Sequence, residues 1–281
     1  VLHGTLRNAD VYFDGMVAAA REAGVGGETM VVAPQFLADV DAAPHALDER
    51  VARWSVEGWK EGAPALHPAG GDPVAASSYA ALDALVGHFA DRALYPALAT
   101  LVVAGHSAGG QVLARWAPTS RADEALVRAG VAVRHVIANP SSWLYFDARR
   151  PVAGGAGFAV PAGDACAGYD DWKYGLRDPV PYAAGALAGI VPRFLGRDLV
   201  ILLGAADDDP AHRLLDRSCA ARLQGPHRLA RGRAYSAYLA DLARDAALRH
   251  RLLVVPGVGH DNRKMFGSAC GRAALFGDAA C

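Results

Sequence analysis

The chain has 281 residues, of which 52% are hydrophobic, and its 28 basic side chains nearly balance its 29 acidic ones. A formal charge of −1 argues against a nucleic-acid-binding protein, because such proteins normally carry a basic excess. No apolar stretch reaches the roughly 18 residues that a membrane-spanning helix needs. The length fits one large domain with a sizeable core.

Short apolar runs alternate along the chain with segments of helical pattern. The runs are continuously apolar, which is typical of parallel strands covered on both faces. The predicted strands are 1–2, 29–33, 100–104, 131–138, 198–203 and 249–255. The predicted helices are 11–23, 79–95, 110–116 (with residue 128 as an alternative end), 233–245 and 264–276. This alternation predicts an α/β fold with a doubly wound, mostly parallel sheet, and an antiparallel α+β fold is the alternative.

One segment, 146–197, breaks the alternation. It contains many glycines and prolines and no long periodic run. Its aromatic side chains argue against disorder; they are Phe158, Tyr169, Trp172, Tyr174 and Tyr182. A loop of this length in a compact domain usually serves function. We therefore expect a single domain over 1–281 in which 146–197 is an excursion folded over one edge of the sheet.

The strongest local motif is Gly105-His106-Ser107-Ala108-Gly109, a G-x-S-x-G sequence directly after a predicted strand. A sharp strand-to-helix turn would lift the Ser107 hydroxyl above the sheet, and glycines without Cβ atoms allow the two backbones to come close. The alternative is a Gly/Ser turn that only joins two elements. The position of the motif between a strand and a helix favours a nucleophile.

A serine nucleophile needs a base and an orienting acid, and candidates for both follow later predicted strands. Asp207, Asp208 and Asp209 come after strand 198–203, and His260 comes after strand 249–255. Because the carboxyl ends of parallel strands open on one rim, these residues are expected to meet Ser107 there. The order serine, aspartate, histidine is that of the nucleophile-elbow hydrolases.

On these residues the chain resembles the α/β-hydrolase-fold serine hydrolases over nearly its whole length, from His3 onward. The resemblance implies that Ser107 is the nucleophile, His260 the base and Asp207 the acid. Asp207 is preferred because the family usually places the acid three residues after a strand-ending glycine, here Gly204. Asp208 and Asp209 stay open as alternatives. The family also places strands ahead of the His3 turn, and they are expected to be missing from this sequence.

An oxyanion hole needs two N–H donors aimed at the developing alkoxide. The resemblance implies that one is the backbone of Ala108. The other is expected from the His3-Gly4-Thr5 turn, which resembles the family's His-Gly oxyanion loop. Thr5 is the preferred donor and Leu6 is the alternative. The triple-glycine loop of many lipases is absent.

Four further strings resemble secreted bacterial and fungal esterase-like hydrolases, including polyester depolymerase relatives. They are Val32-Ala-Pro-Gln-Phe36, Asn139-Pro-Ser-Ser-Trp143, Asp171-Trp-Lys-Tyr-Gly175 and Met265-Phe-Gly-Ser-Ala-Cys270. The expected substrate is a small or polymeric ester, and acyl transfer through a serine requires neither metal nor organic cofactor. The candidate substrate-pocket walls, each of which could instead pack in the core, are Trp54, Trp59, Trp143, Trp172 and Tyr174.

Three classes of function remain open at this point. The first is a serine hydrolase that cleaves carboxylic esters through an acyl-enzyme. The second is an amidase or peptidase that uses the same triad, since both reactions pass through the same intermediate. The third is a non-catalytic binding protein on this fold, which would have no use for serine, acid and histidine together.

Four cysteines are present and none has C-x-x-C spacing, so the sequence gives little support for a metal site. Sequence proximity favours a Cys270–Cys281 disulfide, which leaves Cys166 to pair with Cys219. Two disulfides would place the protein in an oxidising compartment, secreted or periplasmic. Four free buried thiols are the alternative.

Overall fold

The computed structural model describes residues 1–154, 157–162, 166–244, 248–277 and 281. Within these residues, four parallel strands form the central sheet in the order β1-β2-β5-β6, and β3 and β4 form a short antiparallel hairpin. The strands are β1 (Thr100–His106), β2 (Ala132–Ala138), β3 (Arg150–Pro151), β4 (Phe158–Ala159), β5 (Asp198–Gly204) and β6 (His250–Val255). The predicted α/β fold with a mostly parallel sheet is confirmed.

Helices connect the strands and cover the sheet. They are α1 (Ala9–Glu22), α2 (Gly58–Glu61), α3 (Ser78–His88), α4 (Ala108–Thr119), α5 (Ala122–Arg128), α6 (Pro181–Ala184), α7 (Ile190–Leu195), α8 (Cys219–Arg222), α9 (Arg228–Ala243), α10 (Asn262–Gly267) and α11 (Ala269–Phe276). A 3₁₀ turn occupies Asp39–Asp41. In the described part of the chain, no helix is long and apolar enough to cross a membrane.

The core lies on both faces of the sheet because successive side chains of a strand point to opposite sides. On β5, Leu199, Ile201 and Leu203 face a core shared with α4 and α9. Val200 and Leu202 face a second core shared with α1, α10 and α11. All five side chains are buried, which explains why this strand reads as a continuously apolar run.

The prediction of a strand at 29–33 is wrong, because this segment joins no ladder. The Val1 amino group donates to Val32 O at 2.7 Å, but the chain turns away at His3 before further pairs form. Val1–Leu2 is likewise not a strand, and Leu2 makes one isolated parallel bridge to Gly105.

Two predicted helices end early, and in each case a polar side chain just beyond the end caps the turn that follows. The predicted helix 79–95 stops at His88, and Asp91 Oδ1 then accepts from Ala93 N at 2.8 Å in a tight turn. The predicted helix 264–276 is divided into α10 and α11 at Ser268, whose hydroxyl accepts from Gly271 N at 2.9 Å. Serine at this position starts a new helix rather than continuing the old one.

Helix 110–116 ends at Thr119 in the structure, so α5 is a separate helix after Ser120. Helix 233–245 begins earlier than predicted, at Arg228, and is described as far as Ala243. Residue 245 lies outside the described residues.

The excursion 146–197 contains β3, β4, α6 and α7, and its residues 155–156 and 163–165 lie outside the described part. Phe158 packs edge-on against Tyr238 of α9 with ring centroids 5.5 Å apart. Trp172 Nε1 donates to Glu61 O at 2.8 Å, which joins the excursion to the end of α2. The excursion is therefore packed against the body of the protein on two elements.

Two disulfides are formed, Cys166–Cys219 and Cys270–Cys281, and both predicted pairings are confirmed. The first joins the excursion to the start of α8, across 53 residues of chain. The second closes 11 residues at the C-terminal end of the described chain. None of the cysteines is free.

Candidate active site

Ser107 lies on a sharp turn between β1 and α4, with φ at 59° and ψ at −115°. Such a positive φ is strained for a residue with a side chain and costs about 1–3 kcal/mol. The flanking glycines make the turn possible, because a Cβ on Gly105 would lie 2.4 Å from Gly109 O. A Cβ on Gly109 would lie 2.4 Å from Leu2 O. The turn presents the Ser107 side chain at the carboxyl end of the sheet.

The side chains of Ser107, His260 and Asp207 form one hydrogen-bonded line. His260 Nε2 is 2.9 Å from Ser107 Oγ, and His260 Nδ1 is 2.7 Å from Asp207 Oδ2. All three follow carboxyl ends of parallel strands, β1, β5 and β6, which is the rim where parallel sheets bind ligands. In contrast, Asp209 Oδ1 accepts from the nearby Ala211 N at 2.8 Å and stabilises a local turn.

The His3-Gly4-Thr5 turn lies beside the elbow. A Cβ built on Gly4 would be 3.8 Å from Ser107 Cβ, so the two backbones approach closely. The neutral ring of His3 holds the turn: its Nδ1 donates to Gly4 O at 2.9 Å and its Nε2 accepts from Phe36 N at 2.9 Å. Burial lowers the pKa of His3 to about 4, so the ring remains neutral near pH 7.

Of the two amides expected to form an oxyanion hole, that of Ala108 directly follows Ser107 in the chain, and that of Thr5 follows Gly4, whose backbone approaches Ser107. Ala108 is the first residue of α4, where N–H groups have no partner in the preceding turn. Thr5 follows Gly4 in the turn, and its carbonyl accepts from Arg7 Nη1 at 3.1 Å. Within the described residues, neither the Ala108 nor the Thr5 amide donates to a protein acceptor.

Several solved structures match this chain, and two of them cover most of it. One is LpqC, a poly(3-hydroxybutyrate) depolymerase from Bordetella parapertussis, with 28% identity, a TM-score of 0.64 and coverage of 100% of this chain and 80% of that one. The other is poly(aspartic acid) hydrolase-1 from Sphingomonas sp. KT-1, with 27% identity, a TM-score of 0.62 and coverage of 96% and 84%. The chain has the α/β-hydrolase fold. No protein-family model and no curated protein matches it.

A buried arginine is the second partner of Asp207 in this α/β-hydrolase-fold chain. Arg228 Nη1 lies 3.3 Å from Asp207 Oδ1, and neither side chain is appreciably exposed. The guanidinium is fixed by Leu214 O at 2.6 Å, Ser141 Oγ at 3.1 Å and His212 Nδ1 at 3.3 Å. Burial alone would raise the pKa of Asp207, but the hydrogen bond from His260 and the charge of Arg228 outweigh it and lower that pKa. Asp207 is therefore held as the carboxylate.

Two other histidines flank His260 in the α/β-hydrolase-fold site. The His106 ring lies 4.6 Å from the His260 ring and the His212 ring lies 5.2 Å away, centroid to centroid. Burial lowers the pKa of both flanking histidines, and the charges of His260 and Arg228 lower it further. His212 Nδ1 accepts from Leu214 N at 3.2 Å, so its ring proton is on Nε2. Both rings are thus neutral and pack beside His260.

Asn139 joins the loop that carries Asp207 to the loop that carries His260 in this α/β-hydrolase fold. It directly follows β2 with φ at 45°, a conformation that asparagine tolerates better than most residues. Its Oδ1 accepts from Gly204 N at 2.9 Å, at the end of the strand before Asp207. Its Nδ2 donates to Gly259 O at 3.5 Å, one residue before His260.

The candidate pocket aromatics occupy different environments. Trp143 has no exposed surface and stacks on Tyr235 with ring centroids 4.4 Å apart, so the expectation that it lines an open pocket is not met. Trp54 and Trp59 are also buried in the core. Trp172 and Tyr174 are half-buried, and Tyr174 Oη donates to Asp216 Oδ2 at 2.8 Å. These two remain candidates for substrate contact.

The sequence analysis missed Arg228, His212 and Asn139. A buried arginine looks the same in a sequence as a surface one, and no spacing marks it as a partner of Asp207. Asn139 directly after a strand was the one available signal, since asparagine is enriched at positive φ. In the described residues no group of three or more His, Cys, Asp or Glu is arranged to hold a metal ion.

Proposed function

We propose that the chain is a serine hydrolase that cleaves carboxylic esters, with Ser107 as nucleophile, His260 as general base and Asp207 as the orienting acid. The observation that carries the proposal is the hydrogen-bonded line from Ser107 Oγ through His260 to Asp207, at 2.9 and 2.7 Å. Base and nucleophile at this separation are close enough for direct proton transfer. The likeness to two polymer hydrolases supports hydrolase activity.

In the first half-reaction, Ser107 Oγ attacks the ester carbonyl carbon as His260 Nε2 takes the hydroxyl proton. Asp207 stabilises the imidazolium that forms. The Ala108 and Thr5 amides donate to the alkoxide of the tetrahedral intermediate. His260 then gives its proton to the leaving alcohol, and an acyl group remains on Ser107.

In the second half-reaction, water attacks the acyl carbonyl as His260 takes one water proton. The tetrahedral intermediate collapses, Ser107 Oγ leaves with the proton from His260, and the carboxylic acid is released. The cycle consumes one water and one ester and regenerates the free hydroxyl. Every step uses groups of this chain, the ester and water.

An amidase is the second candidate, because one of the structural neighbours is a poly(aspartic acid) hydrolase. Poly(aspartic acid) is joined by amide bonds, whereas poly(3-hydroxybutyrate) is a polyester. Both bonds can pass through the same acyl-enzyme. Relative kcat/KM on an ester and an amide with the same acyl group separates the two, and a higher value on the amide would contradict ester specificity.

The proposal treats 1–281 as one hydrolase domain that acts outside the cytoplasm, on a small or polymeric ester. The two disulfides support an extracellular or periplasmic location, because disulfides persist in oxidising compartments. Trp172 and Tyr174 are the proposed substrate contacts, since both keep exposed surface on the excursion.

The test combines labelling with a matched variant. A fluorophosphonate is expected to label the wild-type protein at Ser107 and to leave Ser107→Ala unlabelled. Ser107→Ala should lose ester turnover while its circular dichroism and melting temperature stay nearly unchanged, because the substitution keeps the Cβ and removes only the hydroxyl that contacts His260. Ser236→Ala, which removes a half-buried hydroxyl from α9, serves as the control. Labelling at another residue, or turnover retained in Ser107→Ala, would refute the assignment.

A further inference from the structure

A basic cleft of about 430 Å³ lies next to the acid-bearing loop. It is lined by Pro210, Arg217, Arg222, Pro226 and Arg231. Pro210 is three residues after Asp207, so the cleft is close in sequence to the candidate site. The volume falls within the range of small-molecule pockets, about 300–1,000 Å³. No acidic side chain is among the lining residues.

The positive charges of this cleft are not neutralised by ion pairs. Arg217 and Arg222 are exposed, and within the described residues none of the three arginines forms an ion pair with a carboxylate. The acidic group that most affects Arg231 is Asp216. Its carboxylate is already held by Tyr174 Oη at 2.8 Å and by Ser218 N at 3.0 Å.

Arg231 differs from the other two arginines because its side chain is fully buried. Its Nε donates to Gly225 O at 2.8 Å, and its Nη1 donates to Asp216 O at 2.9 Å and to Ser141 O. In the described part of the chain its Nη2 is buried and has no acceptor. Burial lowers the pKa of Arg231 to about 10, so its cationic form is short of stabilising partners.

We infer that the cleft binds the carboxylate group of a small ligand, with Arg231 at its base and Arg217 and Arg222 at its rim. Guanidinium groups present N–H donors in a planar fork that matches two carboxylate oxygens. The unpaired Nη2 of Arg231 supplies a donor that a carboxylate oxygen can satisfy after a small movement of the side chain. Two proline side chains form the remaining wall and add apolar surface for a short carbon chain.

The cleft is connected to the catalytic acid through one serine. Arg231 donates to the carbonyl of Ser141, and Arg228 donates to the hydroxyl of the same residue at 3.1 Å. Arg228 in turn pairs with Asp207. The identification of the ligand as the acid product or the carboxyl end of the substrate rests on the proposed function, because ester cleavage releases a carboxylate.

The test measures carboxylate binding in protein that cannot turn over. In the Ser107→Ala background, 3-hydroxybutyrate is titrated by calorimetry and by NMR of the protein. Saturable binding is expected, and the double variant R217Q/R222Q should weaken it by about tenfold or more. The control R213Q/R233Q removes the same charge from two exposed arginines outside the cleft, and it should leave the affinity unchanged.

Several results would overturn the inference. They are absence of saturable binding, equal weakening by both double variants, and binding of inorganic phosphate without binding of 3-hydroxybutyrate. R231K retains charge at the base of the cleft and should bind more tightly than R231Q; equal affinity of these two would also count against it. Fluorophosphonate labelling of Ser107 in the wild-type chain, compared with 3-hydroxybutyrate binding by the Ser107→Ala protein with the cleft intact, separates the two proposals. Labelling without carboxylate binding refutes the cleft alone, and binding without labelling refutes the nucleophile alone.

Discussion

At the residue scale, the Asp207 carboxylate is shared between two side chains, since one oxygen contacts His260 Nδ1 and the other contacts Arg228 Nη1. The pKa of Asp207 is lower in the folded protein than its usual value. The carboxylate therefore stabilises the fold above the unfolded-state pKa of aspartate, and this contribution disappears as the pH falls through the lower folded-state pKa. In the proposed triad, Arg228 would position the Asp207 carboxylate for His260.

Replacing Arg228 tests this positioning role. In R228Q, removal of a positive charge beside the Asp207–His260 pair favours proton uptake by the pair, so the acid limb of kcat/KM should move to higher pH. Because the Asp207 carboxylate would be less firmly held without Arg228, kcat should fall between about 10- and 100-fold with little change in KM. The measurement is a pH–rate profile on an ester substrate.

Two further variants separate positioning from stability. R228K keeps the charge and should leave the acid limb near its wild-type position. R150Q breaks another ion pair of a buried arginine, in which Arg150 Nη2 lies 3.0 Å from Asp170 Oδ1, away from the proposed triad. R150Q and R228Q should each lose about 3–5 kcal/mol of stability, but R150Q should keep the wild-type pH profile. The same profile shift in R150Q would mean that the effect of Arg228 is only structural.

At the scale of elements, the close approach of the β1–α4 turn to the first turn of the chain controls the geometry around Ser107. A Cβ on Gly109 would meet the carbonyl oxygens of Leu2 at 2.4 Å and His3 at 2.8 Å. Both acceptors are backbone atoms, so a side chain at this position can fit only if the His3-Gly4-Thr5 turn moves.

Gly109→Ala is therefore expected to lower kcat/KM, because it moves the proposed Thr5 donor away from the oxyanion. The overpacking should also cost about 1–3 kcal/mol of unfolding free energy. Gly87→Ala is the matched control in α3, where a Cβ would meet nothing within 4 Å, and it should stabilise the helix by about 0.5–1 kcal/mol. Wild-type kinetics and melting temperature in Gly109→Ala would contradict the expected clash.

Elements with strong local signals were predictable from the sequence, and those set by tertiary contacts were not. Strand β5 is almost continuously apolar because helices cover both faces of the sheet there. Segment 29–33 is also apolar but pairs with no strand, because no neighbouring strand in the described part of the chain extends alongside it. The split at Ser268 depends on one side-chain hydrogen bond, which helical periodicity does not reveal.

For the site, chain order and strand ends predicted which residues meet, because parallel strands deliver their carboxyl ends to one rim. The contact of Arg228 with Asp207 joins residues 21 apart in the sequence, and that of Asn139 with Gly259 joins residues 120 apart. Both depend on how the folded chain brings distant side chains together. No local sequence pattern predicts such long-range contacts. Trp143 was misjudged for the same reason, since its stacking partner Tyr235 lies on α9.

At the scale of the whole molecule, the two disulfides constrain very different lengths of chain. Cys166–Cys219 spans 53 residues and links the excursion to α8, whereas Cys270–Cys281 spans 11 and links the first turn of α11 to Cys281. Longer closed loops remove more entropy from the unfolded chain. The excursion disulfide should therefore contribute more to stability than the terminal one.

C166S/C219S is expected to lose about 4 kcal/mol of unfolding free energy and C270S/C281S about 3 kcal/mol, as upper values from loop closure. Guanidinium unfolding under oxidising conditions measures the difference. Repeating it with reductant should bring the wild type close to the quadruple serine variant. A larger loss in C270S/C281S than in C166S/C219S would contradict the ranking by loop length.

The side chain of Asn139 also makes one backbone amide informative about the whole rim. The Gly204 N–H is donated to Asn139 Oδ1, and the same side chain reaches Gly259 beside His260. Deuterium can replace this proton only when that bond opens, and its opening releases the acid loop from the base loop. The exchange rate of a single glycine amide would then report how often the rim that carries Asp207 and His260 opens while the rest of the sheet stays folded.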